Sequence, residues 1–225
     1  MLPFLILAAA LQAPTPPQTP TAVPPPIVER LEGERARIDG TIVDLSKHEL
    51  SVSCRVTTAT VLEFLASARG SHKDYETALA CDTSAEAFKA ALLLLGLEEK
   101  GAVVPRYKFD AVPPAGAPLE LWVEWKSADG QAKRERAEQV VINRETGKLL
   151  AAGPWVFTGS LSLADGRFLA GVEKILVGFM HTPEGILDNP QPLNGAYGVH
   201  AINPALGLKP EMAVTLRAHA LPTQP

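Results

Sequence analysis

Residues 82–97 are the stretch that most constrains this chain, because a run so rich in Ala and Leu has to be sheltered from water. Thr83 is placed to cap a helix with its hydroxyl, and Glu86, three residues on, to reach back to the capping residue's own N–H. Ala and Leu are the strongest helix formers, and Gly96 supplies the left-handed conformation that lets the chain leave. Phe88, Ala91, Leu92 and Leu95 fall on one stripe, while Leu93 and Leu94 widen the apolar surface around most of the last turn. Such a helix needs a cover. The chain beyond it is mostly strand-like, so the expectation is one α+β domain over residues 27–225. Its sheet is mainly antiparallel, with the helix at 84–95 lying across one face.

Alternating apolar and polar residues give the strands. Residues 41–45 and 50–56 flank Ser46-Lys47-His48-Glu49 as a hairpin, and Leu50, Val52, Cys54 and Val56 share its inner face. Residues 75–81 read as a short strand leading into the helix, and 104–109 as another after it. Residues 119–126 alternate well, with Leu119, Leu121, Val123 and Trp125 on one side. The next segment, 133–142, begins too charged for anything but an edge or solvated strand. Residues 155–160, 175–180 and 212–217 supply the last strands, and 183–204 is rich in loops.

The N-terminus reads as an address. Residues 2–11 are almost wholly apolar and are followed by small residues suited to signal-peptide cleavage, so residues 1–13 are expected to be an export signal. The run is too short to cross a membrane, which takes about 20 apolar residues. Residues 14–26 hold seven prolines and no charge, the composition of an extended spacer. The expected location is therefore the periplasm or the outside of the cell. With a net charge of −4 and its richest basic run, Lys133-Arg134-Glu135-Arg136, interrupted by an acid, the chain is a poor match for nucleic acid.

Six motifs then recur in a telling order: Leu62-Glu63-Phe64, Tyr75-Glu76-Thr77, residues 90–97, Val123-Glu124-Trp125, Arg136-Ala137-Glu138 and residues 155–160. Together they resemble the YdjY-like domain family of exported bacterial proteins, from about Arg37 to near Leu216. The resemblance implies export and a single folded unit. It carries no activity, cofactor or site residue.

Chemistry is best sought at residues 71–76. If this segment is extended, His72, Asp74 and Glu76 project from one face, where adjacent members of the trio can share a metal. Its bland alternative is a solvated tip with Glu76 paired to a Lys or Arg. Ser160 follows Gly159 but lacks the Gly-x-Ser-x-Gly elbow of an activated serine. Trp155 and Phe157 read as core, although Trp155, Thr158 and Ser160 together also suit the lining of a ligand cleft. Cys54 and Cys81 are either a disulfide, as an oxidising compartment permits, or two buried thiols. Two cysteines are too few for a metal cluster, and no cofactor is implied. Two functions are compatible with these features: an exported, non-enzymatic binding or assembly module, whose partner is a ligand or another envelope protein, or a metal-dependent or hydrolase-like enzyme built on residues 71–76.

Overall fold

A computed structural model of the chain describes residues 25–222, so the apolar run and nearly all of the Pro-rich segment lie outside the described residues. Strands β1 (Val28–Arg30), β2 (Arg35–Ile38), β3 (Thr41–Asp44) and β4 (Glu49–Val56) form an antiparallel meander. The β3–β4 reversal is set by Asp44, whose carboxylate accepts the Lys47 N–H, and by His48, which takes the left-handed conformation at φ 52°. Next come β5 (Phe64–Ser67) and β6 (Thr77–Cys81), which run parallel, and then helix α1 (Ala85–Leu94). Strands β7 (Ala117–Lys126) and β8 (Ala132–Arg136) make a second hairpin. The remaining elements are β9 (Val141–Asn143), β10 (Trp155–Phe157), α2 (Leu169–Glu173), β11 (Ile175–Gly178), β12 (Leu187–Asp188), β13 (His200–Ile202) and β14 (Ala213–Ala220).

Hydrogen bonding closes eight of these strands into a barrel in the order β4, β14, β7, β10, β12, β11, β5, β6. The closing seam is the antiparallel pairing of β6 back onto β4, through Cys54↔Cys81, Arg55↔Ala80 and Val56↔Leu79. At the register of the first of these pairs the two cysteines form a disulfide. Both long strands divide their second edge. β4 gives residues 49–52 to β3 and 54–56 to β6, whereas β7 gives 117–119 to β10 and 122–126 to β8. The barrel therefore carries two wings, β1–β3 on one side and β8 on the other.

Period-two patterning fills the interior. Leu50, Val52 and Val56 of β4, Leu119, Leu121 and Val123 of β7, and Leu216 and Ala218 of β14 are almost wholly buried, joined by Trp155 and Phe157 from β10. Burying each large apolar side chain contributes about 1.5–3 kcal/mol, and these residues belong to one continuous cluster.

The expected α+β sheet with a helical cover is incorrect: the chain is mostly β, and its sheet shuts on itself. A closed barrel buries one face without help, and α1 packs against β2, β3, α2 and β11 rather than across an open sheet. Ala87, Phe88, Ala91 and Leu92 face inward, but Leu93 and Leu94 remain 44% and 41% exposed. The apolar surface was wider than the cover available. The cap also moves by one residue. Ser84, not Thr83, accepts the Ala87 N–H, while the buried Thr83 hydroxyl bonds that of Thr41. Residues 104–109 form no strand; one bridge, Val103↔Ala115, pins this loop. Gly40 marks the tightest approach, since a Cβ there would collide with the Asp82 carbonyl oxygen, so the β2–β3 turn can nestle against the start of α1 only as glycine.

Candidate functional site

Residues 71–76 do not form an extended strand. Asp74 to Glu76 make a single 3-10 turn, so alternation no longer places His72, Asp74 and Glu76 together. The three side chains go to separate partners. His72 is exposed, with Nε2 3.5 Å from Glu173. Asp74 accepts the Ser67 hydroxyl at 2.7 Å and meets Arg55 at 3.4 Å. Glu76 turns inward beside Glu63. Among the described residues, no group of three or more His, Cys, Asp or Glu is arranged to hold a metal ion.

Glu76 belongs instead to an ion network that sequence reasoning missed. Lys108, carried in by the loop before β7, bonds the buried Glu63 carboxylate and approaches Glu184. Lys73, itself buried, lies 2.7 Å from Glu184 and 2.9 Å from Glu173. Both ammonium groups also sit over the Phe64 ring, at 5.3 Å for Lys73 and 4.9 Å for Lys108. Burial, and then the neighbouring Glu63 charge, push the Glu76 carboxyl above its ordinary range. Burial alone would lower both lysines, but their carboxylate partners outweigh it and raise them. These groups meet across segments far apart in the chain, so no local spacing announces them.

Trp155, Thr158 and Ser160 are all buried, each tied to its own partners. Trp155 is fully buried and donates its indole N–H to Glu138 at 3.1 Å; Arg136 holds the other oxygen of that carboxylate at 2.8 Å. The Thr158 hydroxyl donates toward the Gly185 and Ile186 carbonyls. Gly159 and Ser160, both left-handed, turn the chain out of β10; there the Ser160 hydroxyl donates to the Pro183 carbonyl and accepts the Ala170 N–H. That hydroxyl is a strut between loops. A second strut is Asp188 on β12, whose carboxylate accepts the Thr182 and Asn189 N–H groups. Burial outweighs those bonds and drives its pKa up to about 7.

An open hollow lies over the outer side of β4, β14, β7 and β8, with a volume of about 840 Å³. Outward positions are the odd residues of β4 and β14 and the even residues of β7. Short side chains (Ser53, Ala213, Thr215 and Ala132) make its floor, and Glu124, Lys126 and Arg134 rise around it. A second hollow of about 340 Å³ adjoins it at Ser53 and Cys54 and continues over Ala80 to Gly70, walled by Arg55, Arg69, Asp74 and Asp82. Both pass over the disulfide. The sequence did carry a trace of this site: Ser53 is a small residue at an outward position of β4, where long polar side chains are more usual.

The family model of the YdjY domain matches residues 41–198, well over half of the chain and a narrower span than the motifs suggested. No curated protein and no solved structure matches.

Proposed function

Because the chain belongs to the YdjY domain family, a relationship that carries no reaction with it, we propose from its own surface that it is an exported, non-enzymatic binding module. It takes its ligand or protein partner in the groove over β4, β14, β7 and β8. The groove is the observation that carries this reading: it is open, of ligand size, and floored by side chains short enough to admit another molecule. The titratable groups of the Lys73–Lys108 network are tied to one another in the interior, and the groove does not include them. An enzyme built on residues 71–76 would need His72, Asp74 and Glu76 to converge, and each is engaged with a different neighbour. Export is supported by the apolar run at 2–11 and by the disulfide at the barrel seam, since such bonds persist in oxidising compartments.

The test is site-specific photo-cross-linking in cells, with a benzophenone side chain placed at Thr215 or Ala132 in the groove and at Leu94 on α1 as a control. Discrete adducts from the groove positions and none from Leu94 are expected. Adducts absent from the groove, or equally abundant at Leu94, would refute it. Alkaline phosphatase fused after Pro225 reports export, and an inactive fusion at normal abundance counts against an extracytoplasmic location.

A further inference from the structure

The groove's charge and shape say what kind of molecule fits it. We propose, resting on the binding reading above, that its occupant is an extended acidic peptide segment lying across the strands. The main hollow spans four neighbouring strands, and its continuation crosses one more, β6, and reaches the residues that follow β5. At about 4.8 Å per strand the five strands span about 19 Å, the reach of about six extended residues. Ala132, Ala213, Thr215, Ser53 and Ala80 line this path with short side chains that leave room for an extended chain.

Charge chooses the sign. Lys126, on the outward face with Arg134, lines the main hollow and makes no ion pair within 4.0 Å among the described residues. Arg134 beside it shares the single acid of that hollow, Glu124, with Arg217, which holds both of its oxygens at 3.0 Å. The β7–β8 end of the groove therefore presents an excess of positive charge on a chain whose formal net charge is −4. Toward the other end, Arg55 is held by Glu211 and Asp74, and Arg69 by Asp39 and Asp82. Those pairs neutralise one another, so ligand carboxylates are expected at the Lys126 and Arg134 end. A peptide crossing strands makes no ladder with them, which leaves recognition to side chains.

An anionic polysaccharide suits the site less well. Sugar rings are held by the open faces of aromatic side chains, and the groove offers none. Trp125 is only 7% exposed, and the Trp122 ring nearby is already covered by the guanidinium groups of Arg134 at 4.3 Å and Arg136 at 5.1 Å.

The probe is a fluorescein-labelled decapeptide of alternating Glu and Ala, titrated with the purified protein and followed by anisotropy at low and high salt. Binding is expected at low salt, weakening as salt screens exposed charges. The double variant Lys126→Glu with Arg134→Glu should bind roughly tenfold more weakly, as loss of two exposed ion pairs implies. Ala213→Trp, an exposed change that fills the floor, should abolish binding while leaving the melting curve in place. A Lys-Ala decapeptide should not bind. Unchanged affinity in the double variant, or no binding of the acidic peptide, overturns the proposal. Oligogalacturonate binding as tightly as the peptide, through the same residues, overturns the choice of peptide. Continued cross-linking at Thr215 after any of these failures would show that the groove binds a partner of different chemistry, so the two readings fail separately.

Discussion

Cutting the Cys54–Cys81 bond tests the claim that the β4–β6 seam is where the barrel is held shut. The seam has three residue pairs, whereas β14 meets β4 over seven. The cysteines are 27 residues apart, and removing a crosslink of that loop length costs about 3.5 kcal/mol in the chain-entropy account. Against a typical stability of about 5–15 kcal/mol this is a large share, equivalent to a fall of about 7–14 °C in Tm for a domain of this size. The double variant Cys54→Ser with Cys81→Ser, compared with oxidised wild type by urea unfolding, gives the total. Amide hydrogen exchange gives the place. The Thr57 N–H bonds the Ala78 carbonyl and the Asp82 N–H bonds that of Ser53, so both report on the seam. They should lose protection well before the amides that join β14 to β7. A loss under 0.5 kcal/mol, or protection lost evenly over all strands, would refute the idea that closure depends on this seam.

Three further outcomes concern buried polar groups. The Asp188 carboxyl, at about 7 in the folded protein, keeps a proton that the unfolded chain gives up near pH 4. Stability should therefore fall as pH rises from about 4 to 7 and flatten above, by at most about 4 kcal/mol. Urea midpoints measured from pH 5 to 8 should show this slope in wild type and not in Asp188→Asn, and a wild-type midpoint that climbs over that window contradicts the assignment. Replacing Lys108 with Met strands the buried Glu63 carboxylate and should cost about 3 kcal/mol by chemical denaturation, whereas Glu76→Gln, which relieves a like-charge contact, should be neutral or slightly stabilising. A Lys108→Met protein as stable as wild type would show that the network is ornamental. For Ser160→Ala the expected loss is about 1–3 kcal/mol, because the buried Ala170 N–H and Pro183 carbonyl lose their shared partner. An unchanged melting curve would return that hydroxyl to consideration as a reactive group.

Much of the strand content could be read from residues alone. The 41–56 hairpin, the alternation along β7, the charged edge strand β8 and the inward faces of Trp155 and Phe157 all come from period-two patterning. Closure could not be read. Whether β6 returns to β4 depends on pairing across 27 residues, and alternation is the same in an open sheet and a barrel. The helix misled for a related reason: its composition states how much apolar surface it owns, not how much the neighbours will cover, and Leu93 and Leu94 stay wet. His72, Asp74 and Glu76 misled because a 3-10 turn replaced the strand that would have aligned them. Lys108, Glu184 and the groove floor come together only through long-range folding.

The last strand among the described residues, β14, sits between β4 and β7 with seven residue pairs on each side, so before residue 213 has been made those two strands have a gap where their common neighbour belongs. The ring cannot close without it, and pairings so distant in sequence make for slow closure. Deleting residues 213–220 should therefore prevent the whole assembly rather than trim it.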